Sequence, residues 1–388
     1  MLLTTAHLLV VIAIFPFIYL LIALYSTWLF FSHPDEPSDL KNFTPPVSTL
    51  KPVRGLDPEA YENFASFCKQ DYPEYEIVFC VGGVDDPVLP VIERLQKEFP
   101  ERAIRVLYGS GRIATNDKVA KLARLASEAK YEHLVISDSD VRVPPDYLQK
   151  TIAPFADPKT GVVTCLYVST RDDNLVEKLQ SVGMLSDFYA GLFVAKQLDG
   201  VKFALGQTIA TTRTRLAEFG GYQTLENRPA DDLLVGRLIA DQGYEIKLSH
   251  YPVETVADYR SLSDLLRKRL RWLVVMRHMR PWGHLGLIFT NALPWVILIL
   301  ALRPSMLIGG GFVAAYVAFR IWLSWLIGVW GFKRTDLWRK LWLIPAWDAV
   351  AFCIWLASFA CNTVTWRGGQ YYIRKGMLIP AAAPSPTE

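Results

Sequence analysis

From Met1 to Phe31 the chain carries no Asp, Glu, Lys or Arg. About 20 consecutive apolar residues cross the ~30 Å hydrocarbon core of a bilayer. Inside that core every backbone polar group must be bonded within the protein, which restricts a lone span to helix. Residues 6–28 are therefore expected to form a retained helical anchor. The run is too long for a signal peptide and lacks the basic segment that would precede one.

Apolar runs return near the other end, at 285–302 and 305–331, separated by Arg303-Pro304. That break suggests a tight helical hairpin. Arg320 lies inside the second run and is expected to face a neighbouring helix, because a charge facing lipid is costly. A third run, Leu341 to Trp366, holds Pro345 and Asp348 near its start. It reads either as a further span or as a re-entrant or interfacial segment broken at Pro345. Lys333, Arg334, Arg339 and Lys340 crowd one short connection. The excess of basic residues in cytoplasmic loops places that connection, and the soluble chain, in the cytoplasm, with the N-terminus outside.

Composition agrees with a membrane protein: 51% of the 388 residues are hydrophobic and the mean hydropathy is +0.20. The net charge of +3 gives no reason to expect nucleic acid as a partner. The five cysteines (68, 80, 165, 353 and 361) are scattered without a C-x-x-C pair and read as reduced, buried thiols facing the cytosol. The six histidines are dispersed and suggest no zinc site.

Between the apolar ends, short apolar runs at 47–50, 75–81, 103–108 and 133–137 alternate with helical patterns at 59–69, 88–98 and 117–129. Such alternation predicts an α/β domain with a mostly parallel, Rossmann-like sheet covered on both faces. Ligands of such sheets bind beyond the carboxyl ends of the strands. Gly109-Ser110-Gly111 follows a strand, but the third glycine and the acidic residue of a dinucleotide fingerprint are missing.

Acids gather where ligands of such a sheet bind. Asp138-Ser139-Asp140 follows the fourth apolar run, and carboxylates at i and i+2 can hold magnesium or manganese beside a diphosphate. Asp85-Asp86-Pro87 ends the second run. These carboxylates can accept hydrogen bonds from a nucleoside, or cap the next helix, where Pro87 suits the first turn; both roles are compatible. Asp231-Asp232 opens a helix, where carboxylates are favoured by the dipole. One of them can cap while Asp232 serves as general base toward a hydroxyl. Lys118, at a helix start, is a candidate nucleotide contact. Arg260 to Arg280 holds seven basic residues against one Asp, interleaved with Leu, Trp, Val and Met. It reads as an amphipathic interfacial segment, within which Arg271 can neutralise a diphosphate and Trp272 can stack near an acceptor.

Together these motifs resemble the inverting GT-A glycosyltransferases, most closely the ceramide glucosyltransferase family and its bacterial relatives. The matching segments are LKPVRGLDP at 50–58, QDYPEYEIVFCV at 70–81, VDDP at 84–87, NDKVAKL at 116–122, SDSDVRV at 137–143, DDLLVGRLIADQGY at 231–244, Arg271-Trp272 and TWRGGQYY at 365–372. The resemblance implies a nucleotide-binding Asp85 or Asp86, a diphosphate–metal pair at Asp138 and Asp140, a base at Asp232, and an acceptor-proximal Arg271-Trp272; Asp231, beside the base, is a second catalytic candidate. It also implies a UDP-sugar donor, a membrane-lipid acceptor and a divalent cation. Two departures stand out. Lys268 replaces the Gln or Arg usual four residues before the Trp. Ser186-Asp187-Phe188 stands where animal ceramide enzymes have His-Pro, which bears on the acceptor.

The expected plan is an anchor at 1–31, a linker at 32–46, a GT-A domain at 47–258, the interfacial segment at 259–283, a membrane region at 284–366 and a tail at 367–388. The expected activity is transfer of glucose from UDP-glucose to the hydroxyl of ceramide or a similar lipid. Transfer of an N-acetylhexosamine to a hopanoid polyol is the related alternative. A processive polysaccharide synthase needs more spans than four. A non-enzymatic scaffold would leave the acids as caps alone.

Overall fold

The structure is a computed structural model that describes residues 2–34, 43–112, 114–256, 259, 261–302, 305–366 and 369–381. Most of the expected linker, the Arg303-Pro304 break, Arg260, and Arg367-Gly368 of the TWRGGQYY segment lie outside the described residues. The chain forms two compact units. A sheet unit comprises 35–171, 201–258 and 376–388; a helical unit comprises 1–34, 172–200 and 259–375.

The sheet unit is built on eight strands: β1 (Val47–Pro52), β2 (Tyr75–Val81), β3 (Ala103–Tyr108), β4 (His133–Ile136), β5 (Val141–Arg142), β6 (Thr160–Ser169), β7 (Ile209–Thr212) and β8 (Glu245–Thr255). Their order is β3-β2-β1-β4-β7-β6-β8-β5. β3, β2, β1 and β4 are mutually parallel, as are β6 and β8, whereas β7 runs against β4 and β6, and β5 against β8. The mostly parallel α/β sheet expected from the sequence is present. Its antiparallel insert, β7 (Ile209–Thr212), had no apolar-run signal in the sequence: it reads Ile-Ala-Thr-Thr.

β2 reads YEIVFCV and is buried along its whole length, as a strand covered on both faces must be. One face packs on Phe64, Phe67, Ile92 and Leu95, the other on Val119, Leu122 and Leu125. The one acid in it, Glu76, is buried yet satisfied by Ser48 (2.6 Å), Arg105 (3.0 Å) and the amide of Lys130 (2.6 Å). Helices Ala60–Cys68, Leu89–Glu98 and Asp117–Glu128 match the sequence expectation to within two residues, the last capped by Asn116, whose side chain accepts from the Val119 amide.

Among the described residues of the helical unit three helices are long and apolar enough to cross a membrane: His7–Ser32, Met306–Gly331 and Thr335–Ala360. A bent pair, Pro281–Phe289 and Leu293–Ala301, meets at 52° and passes the same test jointly. The third apolar run departs from expectation at both ends. Pro345 occupies the first turn of helix Ile344–Ala360, where a proline costs no hydrogen bond, so it starts the helix and does not break it. Thr363–Trp366 is a strand, antiparallel to Gly369–Arg374, and not the end of a span. Cys353 is exposed on this helix, whereas Cys68, Cys80 and Cys165 are buried as expected.

A nearly continuous helical run covers 175–199, from a capping box at Asn174 and Glu177 through a π turn at Met184–Phe188. Gly183 lies so close to Trp347 that a Cβ there would sit 2.3 Å from the indole. Arg320 faces helix neighbours, as expected. Its Nε donates to Asp348 Oδ2 at 2.9 Å, Nη2 contacts Oδ1, and Nη1 donates to the Ser186 carbonyl at 2.5 Å; Tyr316 also donates to Asp348 at 2.9 Å. Removing one partner of a buried ion pair strands the other charge and costs about 3–5 kcal/mol. Asp348→Leu is therefore expected to lower the detergent-solubilised unfolding midpoint sharply. The double variant Arg320→Leu/Asp348→Leu is expected to recover most of the loss in the same melt.

Candidate active site

The site residues of the sheet unit sit on loops at the carboxyl ends of β1, β2 and β4 and at the start of helix Asp231–Asp241. Lys118 is their common partner. It projects from the first turn of helix Asp117–Glu128, and its Nζ lies 2.7 Å from Asp138 Oδ1 and 3.6 Å from Asp231 Oδ2. Burial alone would lower its pKa, but Asp138, Asp231 and Asp232 outweigh burial and hold the ammonium charged well above the usual range.

Gly206, on the loop before β7, marks the centre of the group. A Cβ at this position would meet Asp138 Oδ2 at 3.2 Å, Asp232 Oδ2 at 3.3 Å and Lys118 Nζ at 3.6 Å. The Gly206 amide donates to Asp232 Oδ2 (3.2 Å), and the Leu233 amide donates to Oδ1 (2.8 Å). Asp231 is buried, and its Oδ2 lacks a hydrogen bond. Neither Asp caps the helix, contrary to expectation: the cap position is Ala230, with no side-chain hydrogen bond, and both acids lie in the first turn. Ala230 holds φ +56°, a left-handed conformation costly for a residue with a Cβ. That bend turns Asp231 and Asp232 toward Lys118 and Gly206. Burial, then the charge of Asp231, pushes the Asp232 carboxyl up to about 6.

Asp140 is half-buried and likewise raised to about 6, first by burial and then by the Asp138 and Asp57 carboxylates. Asp57, on the loop after β1, accepts from Ser139. Beneath this loop lies Lys51, fully buried at the end of β1, with Nζ donating to Ser137 Oγ and the Asp138 carbonyl at 3.0 Å each and resting 3.4 Å from the Phe67 ring centroid. Lys121, also buried, braces the next loop by donating to the Val53 carbonyl at 2.9 Å.

The two adjacent acids after β2 have different situations. Asp86 is buried and accepts from the amides of Gly55 (3.1 Å), Gly82 (2.8 Å) and Val88 (3.2 Å), so it ties the loops after β1 and β2 together. Asp85 is exposed. Sequence reasoning missed Lys51, Asp57, Gly206 and Ala230. Lys51 and Asp57 lie within the LKPVRGLDP segment that carried the resemblance, while Gly206 and Ala230 had no signal outside the fold.

Arg271 and Trp272 belong to the helical unit, on helix Leu262–Met279, the expected amphipathic segment. There the Arg269 guanidinium lies 4.9 Å from the ring centroids of both Trp272 and Trp347 and donates to Gln180 at 3.0 Å. Lys268, the departure from the family pattern, pairs with Asp264 at 3.0 Å. Trp272 also lies 6.3 Å from Phe188, beside Asp187.

A family model described as glycosyl transferase family 21 matches residues 8–379. The chain belongs to this family. Ceramide glucosyltransferase 3 of Caenorhabditis elegans is 26% identical over 241 residues, 61% of this chain and 52% of that protein. The ceramide glucosyltransferase of Komagataella phaffii is 36% identical over 110 residues, 27% of this chain and 22% of its own length. This family 21 chain thus spans about half, or less, of the curated relatives it matches. Among solved structures, the mannosyltransferase PcManGT from Pyrobaculum calidifontis, in complex with GDP-Man and Mn2+, superposes with a TM-score of 0.59 at 18% identity, covering 90% of this chain and 99% of that one. The GT-A fold expected for family 21 is the fold observed.

Two replacements test the local geometry. Gly206→Ala is expected to lower kcat about tenfold, with an unchanged melting profile, because the displaced carboxylates lose alignment. Ala230→Gly is expected to raise stability by about 0.5–1 kcal/mol in a denaturant titration by relieving the left-handed alanine.

Proposed function

We propose that this family 21 protein is a membrane-bound inverting glycosyltransferase. It transfers a hexose, glucose from UDP-glucose, to the hydroxyl of ceramide or a similar membrane lipid and yields a β-glycolipid. The observation that carries the reading is the convergence of Asp138, Asp231, Asp232 and Lys118 on Gly206 at the strand ends of a GT-A sheet. The names of the curated relatives support the sugar and the acceptor. The sheet unit faces the cytoplasm in this reading, as the basic connection at 333–340 favours.

Asp232 is the base. It is fixed by two backbone amides, and it takes the proton from the lipid hydroxyl as that oxygen attacks the anomeric carbon. Asp231 and Lys118 hold the charge balance around it. Asp85 or the loop tied by Asp86 receives the nucleoside, and Lys118 receives the diphosphate beside the cation that Asp138 and Asp140 would hold, with Arg271 neutralising charge on the leaving group and Trp272 near the acceptor. Asp138 and Asp140 offer only hard carboxylate oxygens, and no group of three or more His, Cys, Asp or Glu forms a metal cage among the described residues. That donor set suits manganese or magnesium, which take oxygen ligands and share substrate phosphate. When bound, the cation would supply positive charge at the departing diphosphate.

The test is purified protein in detergent with a panel of UDP-sugars, ceramide and hopanoid polyols, with product mass and NMR as readouts. An α-linked donor is expected to give a β-linked lipid; an α-product would overturn the single displacement. Asp232→Asn is expected to lower kcat by about 10²–10⁴, with UDP binding by calorimetry within a few-fold of wild type. Chelation is expected to abolish turnover and added manganese to restore it.

The pH profile follows from the raised carboxyl. Asp232 accepts a proton only when ionised, so kcat is expected to rise with pH through about 6 and level off above it. In Asp232→Asn the residual rate should lose that rise.

A further inference from the structure

The sheet unit is assembled from three stretches of chain, 35–171, 201–258 and 376–388. The last is tied in by the Leu378 amide, which donates to the Asn227 carbonyl at 2.8 Å. A single folded body occupies one side of a bilayer. Chain that leaves it after residue 258 and rejoins it at 376 must therefore cross an even number of times. Yet three apolar segments with the length to cross lie in that interval: the bent pair 281–301, Met306–Gly331 and Thr335–Ala360. At least one of them does not cross.

Packing within the helical unit distinguishes them. Helix Leu262–Met279 runs beside helix Ile344–Ala360 in the same direction. Near their starts the Arg269 guanidinium lies 4.9 Å from the Trp347 ring centroid. At their ends Arg277 donates to the carbonyls of Phe359 and Cys361 at 2.8 Å and to Asn362 Oδ1 at 2.7 Å, which caps the second helix. The first helix carries Arg267, Lys268, Arg269, Arg271 and Arg277. A crossing by its neighbour would draw these charges through hydrocarbon, where ionised side chains are costly. Met306–Gly331 itself carries one charge, Arg320, and it is paired inside the protein.

The exposed surface of 344–360 is one stripe, including Ala346, Ala349, Cys353, Leu356 and Phe359, while Trp347, Asp348, Ile354 and Ser358 are buried on the opposite side. One apolar face open and a basic helix alongside is the pattern of a helix in the interfacial plane. Trp338 and Trp342, exposed on the turn of helix before it and close in sequence to Arg339 and Lys340, are residue types that settle at the headgroup level.

We propose that 335–360 does not cross the membrane. Paired with 262–279, it lies along the leaflet on the sheet unit's side and buries its exposed stripe among acyl chains. The chain then crosses three times, at 7–32, 281–301 and 306–331.

Spin-label depth measurements in liposomes test this without reference to activity. The native Cys353 is labelled in a Cys361→Ser background, and Ala346→Cys, Ala349→Cys and Phe359→Cys are labelled with Cys353→Ser added. Ala318→Cys, within 306–331, is the crossing control. Residues 346 and 359 are separated by about 20 Å of helix. The expected result is a single shallow depth for all four labels, a deep Ala318→Cys, and a C-terminal tag reactive from the same side as Glu93→Cys in the sheet unit. Depth that passes through the midplane between 346 and 359 overturns the proposal. So does a tag on the side opposite Glu93→Cys, or a control as shallow as the helix under test.

Discussion

One ammonium allows the sheet unit to gather its acids. Asp138, Asp231 and Asp232 come from two chain segments almost a hundred residues apart, and their mutual repulsion would disfavour a buried cluster. Lys118, at 2.7 Å from Asp138 and 3.6 Å from Asp231, supplies the opposing charge. The neighbouring geometry serves that grouping. Gly206 omits a side chain where the carboxylates meet, Ala230 accepts a strained backbone to turn its two acids inward, and Lys51 holds the Asp138 carbonyl from below.

The helical unit solves the same problem differently. Arg320 and Asp348 are satisfied by each other, by Tyr316 and by the Ser186 carbonyl, so this polar group inside apolar helices is closed. Arg277 spends its guanidinium on the free carbonyls at the end of a neighbouring helix. These contacts explain why so apolar a region retains charged residues: each of them pairs one helix with another, where an apolar contact would give less orientation.

Much of the fold was legible in the sequence. β2 and β3 begin and end where their apolar runs do, and the 89–98 and 117–128 helices follow their apolar periodicity, because local pattern and tertiary burial agree there. The family motifs pointed to Asp138, Asp140, Asp231 and Asp232 and to Lys118. The division of labour at Asp85 and Asp86 was not legible, since adjacent acids look alike until three backbone amides converge on one of them. Nor was the strand at 363–366, which follows the apolar helix 344–360 after only two residues.

The sequence by itself determined that this chain enters a membrane, that it carries a mostly parallel sheet, and that its acids stand where the strands end. Those properties depend on runs and periodicities, which are local. Only the tertiary structure decided that Asp231 and Asp232 lie in the first turn without capping it, that Gly206 lies where the carboxylates approach one another, and that Leu378 is tied back to Asn227 of the sheet unit. Each of these depends on groups far apart in the chain meeting within hydrogen-bond or van der Waals distance, and sequence spacing carries no record of such meetings.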